Sequence, residues 1–82
     1  MNPAASKDAH RTALAKLLRT ARAELQLKQY EVAQATGISQ TRLSRFESAK
    51  DEPRVSEFLS LVETLNISEK QILDLWSTSL KI

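Results

Sequence analysis

The chain has 82 residues with one glycine, two prolines and no cysteine. That leaves room for one small core and excludes a disulfide frame, a Cys-based zinc site and a thiol nucleophile. A hydrophobic share of 41% beside 27% charged residues excludes a disordered chain, and no run approaches the ~18–20 apolar residues of a membrane span. The net charge of +2 becomes informative when divided along the chain. Residues 1–54 hold ten Lys and Arg against six Asp and Glu, whereas residues 55–82 hold two against four. A basic front half fits a polyanionic partner, although a solvated surface fits it as well. The absence of cysteine fits the reducing cytoplasm, where the chain is expected to work.

In chain order, residues 1–7 read as a flexible arm, and MNPAASKDAH lacks the apolar core of a secretory signal. Residues 8–82 read as one domain. Leu14, Leu17, Leu18, Ala21 and Leu25 recur at helical spacing and predict a first helix from about Asp8 to Leu25. It is basic and amphipathic, and an ordinary core helix is expected rather than a membrane-surface one. A short second helix runs from Gln29 to about Thr36, with Val32 and Ala33 inward, and stops at Gly37, the residue best suited to a left-handed conformation. Ser39 is an N-cap for a third helix over Gln40–Ser48. Pro53 closes a loop before a fourth helix from Val55 or Ser56 to Leu65, carrying Phe58, Leu59, Val62 and Leu65. Ser68 with Gln71 three residues on reads as a capping box opening a fifth helix. Five helices and no strand are expected.

At 100° per residue from Gln40, Leu43 and Phe46 fall at roughly 300° and 240°, so one narrow side of the third helix is buried. The other side carries Thr41, Ser44, Arg45 and Ser48, with Gln40 and Arg42 on its flanks. So short a helix with two large inward side chains needs its neighbours to be stable. Its outer groups suit base-pair edges, since Gln bonds adenine, Arg bonds guanine O6 and N7, and a Thr methyl meets the thymine methyl. Two short helices joined by a three-residue turn form the geometry that projects the second helix into a major groove.

Arg22, Gln29, Ala33, Gly37, Ile38, Ser39, Leu43, Phe46, Glu47 and Pro53, with ETLNIS from Glu63, stand in an order that resembles the phage-repressor and Cro-like, or Xre, helix-turn-helix family. The resemblance covers about residues 14–73. It implies an all-α, five-helix lambda-repressor-like domain with its helix-turn-helix at about residues 29–48. It also implies a structural ion pair between Arg22 and Glu47, base contacts from Gln40, Thr41 and Arg45 with Arg42 and Ser44 second, and a phosphate contact from Gln29. Lys28, Lys50 and Arg54 are further phosphate candidates. The chain departs from the family where Gln26 and Ala49 replace frequent glycines. A non-glycine residue at positive φ is unfavourable, so the loop after the third helix is expected to take a different path, which weakens the expectation for Lys50.

No group of residues points to catalysis. His10 is the only histidine and reads as solvated, no base stands beside a nucleophile motif, and neither a metal nor another cofactor is expected. On the fifth helix, Ile72, Leu73, Leu75, Trp76 and Leu80 span roughly 160°, more than one neighbour in a small domain covers. Ile72, Leu75, Trp76 and Leu80 are therefore candidates for a homodimer interface. The expected function is that of a sequence-specific transcriptional regulator, a repressor that binds a double-stranded DNA operator as a homodimer. The alternative is a protein-binding module, such as the antitoxin partner of a toxin or a non-DNA-binding adaptor.

Overall fold

A computed structural model of the chain describes the backbone of residues 3–80 and the side chains of residues 8–77. Among the described residues there are five helices and no strand: α1 (Pro3–Glu24), α2 (Gln29–Thr36), α3 (Gln40–Glu47), α4 (Val55–Thr64) and α5 (Glu69–Leu80). Helix α1 begins five residues before the expected Asp8, so most of the stretch read as an arm continues the helix. Proline is well placed there, because its fixed φ suits a first helical position and its missing N–H has no intrahelical acceptor to find. Met1 and Asn2 lie outside the described residues. At α5, Gln71 accepts the Ser68 backbone N–H at 2.9 Å and donates its own backbone N–H to the Ser68 hydroxyl at 3.1 Å, a closed capping box.

The core gathers Leu18 and Ala21 of α1, Val32 of α2, Ile38 of the turn, Leu43 and Phe46 of α3, Leu61 and Leu65 of α4 with its C-cap, and Ile67 beyond it. Two expectations are corrected here. On α4 the fully buried residue is Leu61, and Leu59, expected inward, is exposed. The buried direction runs through Leu61 and Leu65, one turn apart, and Leu59 lies almost opposite it. Leu25 falls just past the end of α1 and is also exposed.

Three junctions end in the same way, with a residue in the left-handed region: Gln26 at φ 57°, Ala49 at φ 61° and Asn66 at φ 54°. In each, the next residue's N–H reaches back five positions: Leu27 to the Arg22 carbonyl at 3.1 Å, Lys50 to Arg45 at 2.9 Å and Ile67 to Val62 at 3.0 Å. These bonds satisfy carbonyls that a helix end leaves without partners. The expectation of a different path for the loop after α3, which rested on Ala49 avoiding positive φ, is thus corrected. Both residues take the backbone conformation a glycine prefers, and the helix-end hydrogen bonds hold them there.

The strain at Ala49 makes a prediction. Left-handed backbone costs alanine about 1–2 kcal/mol, whereas glycine adds about 0.4–1 kcal/mol of unfolded-chain entropy to be lost. Ala49→Gly is therefore expected to stabilise by about 0.5–1 kcal/mol and raise Tm by a few degrees in a thermal melt. An unchanged or lower Tm would show that the strain is relieved elsewhere.

Candidate nucleic-acid interface

Helix α3 is mounted by short-range bonds at its start and by ion pairs from Arg42 and Glu47. Gly37 closes α2 at φ 76°, and its N–H donates to the Ala33 carbonyl at 2.9 Å. The Thr36 hydroxyl donates to the Val32 carbonyl at 2.8 Å and accepts the Ile38 N–H at 3.2 Å, which pins the turn. Ser39 then accepts the Arg42 N–H at 3.2 Å and caps α3. With Ile38 buried as an anchor, the angle between α2 and α3 is fixed by local bonds.

Glu47, at the last turn of α3, is buried and charged, 5% exposed. Its carboxylate accepts Arg22 Nε at 2.8 Å and Arg22 Nη2 at 2.9 Å, a bidentate pair, and also accepts Gln29 Nε2 at 3.0 Å. Arg22 uses its remaining nitrogen, Nη1, to donate to the Leu27 carbonyl at 2.9 Å. The Glu47 backbone carbonyl accepts a bond from Arg19. One carboxylate thus ties α3 to α1 and α2. Hydrogen bonding with Glu47 holds the Arg22 guanidinium above its usual value, against the opposing effect of burial. Arg19, one turn before Arg22 on the same face, went unassigned in the sequence, where only the i, i+3 spacing pointed to it.

A second clamp joins α3 to α4. Arg42 donates through Nε and Nη2 to Glu57 at 3.1 and 2.7 Å, and its guanidinium carbon sits 5.0 Å from the centre of the Phe46 ring. The Glu57 carboxylate also accepts the Arg54 backbone N–H at 2.8 Å. Arg42 is thereby turned toward the scaffold. Hydrogen bonds from Arg42, then from the Arg54 backbone, lower the Glu57 carboxyl below the usual carboxylate range. The folded chain therefore binds fewer protons at this group than the unfolded one, and stability is lost as pH falls through the depressed folded value. The expected result is that wild type exceeds Glu57→Gln in stability well above pH ~4.3 and that the gap closes on acidification. Urea melts at several pH values measure this, and a gap independent of pH would overturn it.

The outward side of α3 is open. Gln40, Thr41, Ser44 and Arg45 are exposed and, together with half-buried Gln29, line one shallow depression. Gln29, expected at phosphate, has one amide hydrogen engaged by Glu47, which leaves its second hydrogen and its carbonyl oxygen for another partner. Lys28, Lys50 and Arg54 are exposed on the segments bordering α3, namely the entry to α2, the α3–α4 loop and the entry to α4. None of the three lines the depression.

The helix-turn-helix family model matches residues 18–72, from Leu18 in α1 to the start of α5 and so all of this site. The chain belongs to the phage-repressor and Cro-like helix-turn-helix family. Its fold is the small all-α, lambda-repressor-like one, and the family is one of DNA-binding transcription regulators. No curated protein and no solved structure matches it. Helix α3 occupies the recognition position of this helix-turn-helix, and α2 is the helix before it. Among the described residues no helix is long and apolar enough to cross a membrane.

The candidate dimer residues are separated by this helix-turn-helix fold. Ile72 packs on the core, and Leu75 is half-buried between the grooves that α5 makes with α1. These two face their own domain because α5 must cover Leu14 and Leu17 of α1. Trp76 is 64% exposed, as is Leu73 beside it. The Leu80 side chain lies outside the described residues.

Proposed function

We propose that this helix-turn-helix protein is a cytoplasmic repressor that binds palindromic operator DNA as a homodimer, each copy laying α3 in the major groove of one half-site. The observation that carries this reading is the division of α3. Leu43, Phe46 and Glu47 are buried, while the four groups that α3 brings to the depression are an amide, two hydroxyls and a guanidinium, all able to bond base edges. Bound at an operator overlapping a promoter, such a dimer excludes polymerase by occupancy, with no catalytic step. Dimeric symmetry matches half-sites about 34 Å apart.

The test is selection of bound duplexes from a random pool at stated salt, followed by competition binding. Arg45→Ala is expected to weaken binding by about 1–3 kcal/mol and relax preference at one base pair per half-site. A pool that yields no favoured sequence overturns the reading. Exposed Leu73 and Trp76, with Val55 and Leu59 of α4, support association with a second copy. The same exposed side chains favour the second reading, in which they hold a different protein, as in an antitoxin. Sedimentation of the pure chain separates the two, since a monomer at micromolar concentration counts against the homodimer.

A further inference from the structure

Arg45 is the outward arginine of α3, and its guanidinium is held from one side by the loop that follows the helix. Nη2 donates to the Lys50 carbonyl at 3.3 Å, and Nε faces Asp51 Oδ2 at 3.8 Å. A guanidinium has five N–H donors in a planar fork. Both loop contacts fall on Nε and Nη2, the two nitrogens of the side edge. The end edge, Nη1 with the second hydrogen of Nη2, still offers two parallel donors. Resting on the DNA-reading function proposed above, we propose that Asp51 is a positioning residue that presents Arg45 end-on, so that Arg45 selects guanine at one base pair of each half-site. In the major groove guanine offers two adjacent acceptors, O6 and N7, where adenine and cytosine each offer a donor and thymine pairs one acceptor with a methyl.

The two oxygens of Asp51 have different partners. Oδ1 accepts the Glu52 N–H at 2.9 Å, which shapes the loop, and Oδ2 faces Arg45. The Glu52 backbone bond first, and then the charges of Arg42, Arg45 and Arg11, hold the Asp51 carboxyl below its ordinary range. It is therefore anionic at neutral pH. An anion beside a phosphate-facing surface opposes DNA of every sequence, and a stiffened Arg45 favours one sequence. Both effects raise the ratio of specific to non-specific binding.

Asp51→Asn separates these roles from loop shape, because its amide oxygen still accepts the Glu52 N–H while its NH2 group replaces the anionic oxygen facing Arg45. The 82-residue chain is titrated at fixed salt with the selected duplex, with duplexes altered at each position, and with a scrambled duplex. Wild type is expected to prefer guanine at one position by about tenfold or more, and Arg45→Ala to lose that preference. Asp51→Asn is expected to bind the scrambled duplex more tightly and to lose roughly three- to tenfold of the guanine preference. Asp51→Glu, which keeps the charge, recovers part of it, and adding Asp51→Asn to Arg45→Ala changes the preference no further. An equal shift on all duplexes by Asp51→Asn, or a preference at the Arg45 position for a base other than guanine, overturns the proposal while leaving DNA reading intact. A wild-type chain that favours no duplex refutes the reading beneath it and this proposal together.

Discussion

Phe46→Ala is expected to destabilise the domain by about 3–5 kcal/mol, the largest effect of any single substitution in α3. Phe46 is 1% exposed and sits in the cluster that joins α1, α2, α3 and α4. Its removal leaves a void that the rest of the cluster must fill. The loss is a large part of the whole, since a chain of this length has about 4–12 kcal/mol of stability. The substitution also removes the ring over which the Arg42 guanidinium lies. Urea unfolding measures the change as a lower midpoint at nearly constant slope. A loss below about 1 kcal/mol would mean that the site collapses readily and that α3 is held mainly by its ion pairs.

Glu47→Ala is expected to cost about 3 kcal/mol, because it strands Arg22 and Gln29 rather than simply deleting a contact. Arg22 loses both acceptors of its bidentate bond and Gln29 loses the bond that orients its amide. Glu47→Gln keeps the shape and one acceptor oxygen, so its loss should be smaller. The distinctive outcome lies in DNA binding measured where both variants are folded. A misplaced α3 weakens binding to every sequence together, unlike Arg45→Ala, which acts at one position. If Glu47→Ala left both melting and binding unchanged, the ion pair would be an ornament of the surface and α3 would owe its placement to Leu43 and Phe46 alone.

The order of helices and the outward side of α3 were legible in the sequence because each depends on spacing within a few residues. Gly37, the Ser39 cap and the Leu43–Phe46 stripe are local signals, and α3 lies within a residue of its expected span. What single-helix spacing does not carry is the destination of long side chains at a helix margin. Arg42 sits on the flank of α3, where a guanidinium can turn to solvent or to a neighbour, and Glu57, fifteen residues on, decides it. Gln29 is another such case, read as a phosphate contact although its amide also bonds Glu47 across eighteen residues. Ile72 and Leu75 belong to the same class. Their arc on α5 was visible, but how much of it α1 covers is a property of the packed pair. Ala49 shows the opposite limit, a local preference overridden by the hydrogen bonds of a helix end.

The open positions of α3 carry almost none of the domain's internal bonding. Gln40, Thr41 and Ser44 could each be exchanged for another hydrogen-bonding side chain while the three inward residues hold the helix in place. On the DNA reading proposed above, a lineage built on this chassis would acquire a new genomic address by a handful of substitutions, with folding left out of the negotiation.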